Sequence, residues 1–186
     1  MTKSSSCAET TTSVSNFTFD EMHRCLVKGW GALGSRVAHT WDEFNVTYFG
    51  GELRPIPIFL VPCAPFGHWV GITCCLDEVT HIALCRPRNG KSLVADRGVL
   101  LHEMIHQSCH QRGVNSKHAG QPWRDTIMRL HKQITGQPLV LVQQKIVKVR
   151  QPDGTRKSVR SSPEGAVTQG AIARWPHSFG LRFEQL

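Results

Sequence analysis

The chain has no run approaching 18 consecutive apolar residues, so no stretch of it reads as a transmembrane helix. It has no C-x-x-C pair: its seven cysteines stand at 7, 25, 63, 74, 75, 85 and 109. That spacing argues against a cysteine-based zinc ribbon, and the odd number against a closed disulfide framework. Most of these thiols are expected to be small buried apolar side chains. Residues 1–16 are rich in serine and threonine and carry no apolar signal core, so they read as a flexible tail. A cytoplasmic compartment is the expectation. There is no internal repeat. Acids are few, 14 against 22 basic residues, for a net charge of +8. The surplus is uneven: from Leu139 onward there are eight basic and three acidic residues, which is +5 of the whole. A basic C-terminal quarter suits DNA or another polyanion, and equally an ordinary solvated surface.

What is present centres on residues 99–106, VLLHEMIH. On a helix, His102 and His106 lie one turn apart on the same face, within reach of one small cation. Glu103 stands beside them, where a carboxylate can hold a water at the ion and take its proton, the H-E-x-x-H arrangement of zinc peptidases. Val99, Leu100, Leu101, Met104 and Ile105 make the segment a buried helix with one polar stripe. Asp96 fits its N-cap and Gly113 its stop. A polar trio in so apolar a run needs a partner.

Catalytic zinc takes three protein ligands and keeps one position open. Two histidines compete for the third place. His110, eight residues after His102, lies about 12 Å further along a straight helix, too far to share an ion. His118 comes after Gly113, with enough chain to double back, and is favoured. His131 and His177 carry no spacing argument. His68 and His81 fall on strand candidates and could border the cleft.

The remaining elements follow from local signals. Thr18-x-x-Glu21 is a capping box that starts a helix at Phe19. Gly29 and Gly31 interrupt it, a second helix is expected over 35–47, and Gly50-Gly51 ends that one. Strands are expected at 56–61, 69–75 and 81–85, the first an edge strand by its flanking prolines. Pro122 opens a helix carrying Trp123, Ile127, Leu130 and Ile134 on one face, closed by Gly136. Residues 139–150, the turn Pro152-Asp153-Gly154 and residues 156–160 read as a hairpin. Trp175 and Phe179 are expected to dock on the rest.

Three motifs then carry a resemblance. Phe44-Asn45-Val46-Thr47-Tyr48-Phe49-Gly50-Gly51-Glu52-Leu53 resembles the "FN…YFGG.L" entry of the SprT/Spartan-like zinc metalloproteases. Residues 100–106, LLHEMIH, match that family's "LLHEM.H" helix. His118-Ala119-Gly120-Gln121-Pro122-Trp123, followed by Ile127-Met128, is similar to its "HG..F/W…M" segment, with Ala119 as a departure from the pattern. The motifs occur in the family's order over residues 41–130. The family's Cys-rich zinc ribbon is absent, and the basic hairpin stands in its place.

The resemblance implies an α+β, minimal zincin-like core, with helices on a small, mostly antiparallel three-stranded sheet and a basic C-terminal β-hairpin. The expected domains are 17–137 for the protease and 138–186 for the extension. It implies a metalloendopeptidase with Zn²⁺ on His102, His106 and His118, and Glu103 as general base, acting on protein or peptide substrates, including proteins on DNA. A monomer with no membrane partner is expected. Tyr48, the one tyrosine, is a candidate second oxyanion donor, although helix packing also accounts for it. Two other readings stay open: a nucleic-acid-binding protein with a structural metal site, and a non-proteolytic metallo-hydrolase.

Overall fold

The computed structural model describes residues 17–62, 71–76, 79–86, 97–118, 120–139, 141–142, 145–152, 154–161, 167–168 and 175–176. The architecture is α+β: three helices and a small mixed three-stranded sheet. Asp96, His68, His177 and Phe179, all named above, lie outside the described residues.

Helix α1 spans Phe19–Phe49 and begins at the expected capping box, with Thr18 and Glu21 bonding each other's backbone N–H. It breaks at Gly31, where φ 56° and ψ −135° are open to a residue without Cβ. The chain doubles back there, and the rings of His23 and His39 meet at 5.1 Å. The second arm ends at Gly50, as expected, in the left-handed conformation. Asn45 then clamps the chain beyond: its Oδ1 accepts from Leu53 N–H at 3.0 Å and its Nδ2 donates to the Leu53 carbonyl at 3.1 Å. The last carbonyls of α1 do not go unpaired. Arg129 donates to Tyr48 O and Gln133 to Thr47 O, both from the third helix.

Strands β1 (Ile58–Pro62), β2 (Gly71–Leu76) and β3 (Val79–Arg86) form the sheet in the order β1-β3-β2. β2 and β3 pair antiparallel; β1 and β3 pair parallel. The sheet is therefore mixed, not mostly antiparallel as expected. The register gives the reason. Ile58 pairs with Ile82 and Leu60 with Leu84, which aligns four buried aliphatics on one face toward the helices. The opposite face carries Phe59, Ile72 and His81, so His81 is turned away from the helices.

Helix α2 (Arg97–Gln111) packs on β2 and β3 with its apolar side, and α3 (Gln121–Thr135) packs against α2. α2 closes as expected at Gly113. Gly113 N–H bonds His110 O, and Val114 N–H bonds Cys109 O, the two bonds of a Schellman cap. Pro122 sits in the first turn of α3 and Gly136 caps its end. Gln107, fully buried, ties α2 into the core by accepting from Trp41 Nε1 and donating to Arg54 O. None of the described helices is long and apolar enough to cross a membrane.

Beyond α3, β4 (Leu141–Val142) pairs parallel with β7 (Val167–Thr168). β5 (Lys145–Arg150) and β6 (Arg156–Ser161) form the expected antiparallel ribbon around 151–155. Trp175 is wholly buried and joins the same apolar core as α1, α2 and α3. The cysteines depart from expectation: Cys85 and Cys109 are buried, but Cys25 and Cys75 are exposed and Cys74 is half-buried. Cys75 shares the Thr73 face of β2 by register yet is exposed, so alternation along the strand does not decide its burial.

Candidate metal centre

α2 puts His102 and His106 on one face, and the loop after Gly113 returns His118 to meet them. The three Nε2 atoms are 3.2 Å apart between His102 and His106, and 3.0 Å from each of these to His118. His110 is not among them; its Nε2 meets the Ser116 hydroxyl at 3.2 Å. His131 is likewise elsewhere, on α3. The three imidazoles are the group among the described residues able to hold a metal ion.

The hydrogen bonds around the rings say what kind of group fits. His102 Nδ1 lies 2.7 Å from the Trp175 carbonyl, which can only accept. Nδ1 therefore carries the proton and Nε2 of the neutral ring is bare. His106 has a backbone hydrogen-bond partner as well, Ser116. The bare Nε2 of His102 stands 3.2 Å from that of His106 and 3.0 Å from that of His118, a spacing one cation between the three can bridge. Three nitrogens at these separations fit one ion at about 2.0–2.1 Å from each. The donor set thus suits a cation.

Burial favours the neutral form of two of the three rings. It pushes His106 down to about 3, with the neighbouring His102 and His118 adding to the effect and the Ser116 bond opposing it. Burial lowers His118 too. Trp123 makes the floor of the site, its ring 4.6 Å from that of His118, 5.3 Å from His102 and 5.5 Å from His106.

Glu103 points from the same helix toward β2 and is nearly inaccessible, at 4% exposure. Its Oε2 accepts from the Thr73 hydroxyl at 2.7 Å, and that hydroxyl also lies 3.0 Å from the Glu103 carbonyl. Burial raises the carboxyl to about 7, and the Thr73 bonds hold it lower than burial alone would. β2 can approach so closely because residue 71 is glycine: a Cβ there would stand 2.6 Å from Val99 Cγ1 and 3.0 Å from Glu103 Oε1. Tyr48 packs its ring on Phe44 at 5.5 Å and is buried within α1, the packing role.

The arrangement thus brings together the four residues that the sequence singles out, His102, His106, His118 and Glu103. It adds four that sequence reasoning missed as members of the site: Gly71, Thr73, the Ser116 backbone and the Trp175 carbonyl. Main-chain groups leave no mark in residue type, and nothing near Thr73 in sequence points at a residue 30 positions away. No protein-family model, no curated protein and no solved structure matches the chain.

Proposed function

We propose that the protein is a zinc-dependent metalloendopeptidase of the SprT-like type, with a zincin-like core. The observation that carries this reading is the convergence of three imidazole Nε2 atoms beside one buried carboxylate on the same helix. His102, His106 and His118 would hold the ion, and an all-imidazole set suits zinc. When bound there, zinc supplies Lewis acidity, making a water more acidic and a carbonyl more electrophilic.

The chain's own groups do the rest. Glu103, raised to about 7, accepts the proton of the attacking water and returns one to the leaving amine. Thr73 holds one carboxylate oxygen and so fixes the direction of the other. Trp123 shields the ligands on one side. β2 has one strand neighbour among the described residues, so its other edge can pair with an extended peptide. Pairing of that kind reads backbone more than side chains and gives broad specificity. A cytoplasmic monomer acting on proteins that sit on DNA is the fuller form of the proposal.

The test is Glu103→Gln against His118→Ala in the full chain. E103Q keeps stoichiometric zinc and loses on the order of 10²–10⁴ in cleavage of unfolded casein. H118A loses the metal as well. Undiminished cleavage by metal-loaded E103Q sinks the peptidase reading.

One observation favours a second reading, nucleic-acid binding with a structural metal. The twelve paired residues of β5 and β6 include six Lys and Arg and no acid, and Arg150 stands directly opposite Arg156. Like charges in register destabilise a ribbon, which a polyanion would relieve.

A further inference from the structure

We propose that Trp175 is a positioning residue of the metal centre, and that the chain beyond α3 is thereby a working part of that centre. The inference rests on the metal-binding reading above and is independent of peptidase activity.

The ligand His102 needs its Nε2 unprotonated and aimed at the other two rings. A free imidazole in water does not hold one tautomer or one orientation. Here the Trp175 carbonyl does both jobs. It accepts from Nδ1 at 2.7 Å, which places the proton on that nitrogen and leaves Nε2 bare. The bond spans 73 positions, so helix geometry cannot provide it. It exists because the Trp175 indole is buried completely in the core, with Pro176 buried beside it. The indole is the anchor and the carbonyl is the contact. His106 differs: its backbone partner, Ser116, lies in the loop that also carries His118. Of the two rings, His102 alone depends on the far end of the chain.

Partners of metal-bound histidines typically change metal affinity by about 10–100-fold. Coupling of this kind is reciprocal: if docking of Trp175 tightens metal binding, metal binding holds Trp175 docked by the same factor. The ribbon of β5 and β6 lies between α3 and Trp175 in the chain.

The experiment uses the full chain and zinc alone. Zinc affinity is measured by competition with a chromophoric chelator for the wild type, Trp175→Ala and Trp175→Phe, with circular dichroism as the control for fold. In parallel, ¹⁵N NMR reads the His102 tautomer in metal-free wild type above pH 7. We expect W175A to bind zinc about 10–100-fold more weakly, and W175F to recover most of the loss because a second large ring refills the pocket. We expect His102 in the wild type to carry its proton on Nδ1. A folded W175A with wild-type affinity overturns the proposal, as does a wild-type His102 protonated on Nε2. Should W175A not fold, the wild-type tautomer decides. Failure of the wild type to bind zinc removes the metal reading itself, and zinc binding without peptide cleavage leaves the present inference standing.

Discussion

Glu103 is where the chemistry of this chain is most exposed to test. A carboxyl raised to about 7 in the folded state, against an ordinary value near 4.5, binds a proton that the unfolded chain has already lost. Between those values the native state holds more protons, so stability falls as pH rises through the window. Above it the full cost of a buried carboxylate is present. Metal-free E103Q should therefore melt higher than the metal-free parent at pH 8, and at the same temperature near pH 4. Thermal melts in chelator at the two pH values check this; equal melting temperatures at pH 8 contradict the burial argument. His106 works in the opposite direction. Its depressed value means the unfolded chain takes up a proton below about 6.5 that the native state refuses, so metal-free stability falls as pH drops below that point. The same depression keeps protons from competing for the His106 nitrogen. Zinc affinity should fall less between pH 7.5 and 6 than it would for three ordinary imidazoles.

At the scale of elements, the site depends on how near β2 comes to α2. Gly71→Ala would place a methyl 2.6 Å from Val99 and 3.0 Å from the Glu103 carboxylate. The strand must move out, at a cost of about 1–3 kcal/mol, and Thr73 moves with it. We expect G71A to bind zinc normally and to cleave casein at least tenfold more slowly, a separation of binding from catalysis that a global unfolding could not produce. The ribbon makes its own prediction. Replacing Arg150 and Arg156 by Glu should abolish retention of duplex DNA at low salt while leaving zinc content unchanged. If the parent shows no salt-dependent DNA binding, the nucleic-acid reading fails. If it does bind, the slope of log affinity on log salt counts the phosphates engaged, at about −0.9 for each.

For the whole molecule, three imidazoles from two elements would make a bound ion a cross-link. α2 supplies two ligands, the loop into α3 the third, and the C-terminal part the carbonyl behind His102. A ligand that binds only the native state stabilises it by about 2.7 kcal/mol when present at a hundred times its Kd. For a domain of this size each kcal/mol moves Tm by about 2–4 °C. Removing the metal should thus lower Tm by about 5–10 °C, reversibly, with H118A insensitive to the chelator. A parent Tm indifferent to chelator would show that the three rings hold nothing.

Much of this was legible in the residues taken one after another. The H-E-x-x-H spacing, the capping box at Thr18, the stops at Gly50, Gly113 and Gly136 and the turn before Arg156 are local devices, and local sequence determines them because their partners lie within a few positions. The choice of His118 over His110 follows from helical rise, which puts His110 out of reach, and from the stop at Gly113, which lets the chain double back. What only the tertiary structure decided is of another kind: the parallel pairing of β1 with β3, the reach of Thr73 to Glu103, the closeness that Gly71 permits, and the carbonyl of Trp175 behind His102. Each joins segments 20 to 70 or so positions apart. Two of the four are made by backbone, whose hydrogen-bonding groups are the same at nearly every residue, so sequence carries no mark of which will be used until burial of the apolar side chains has brought them together.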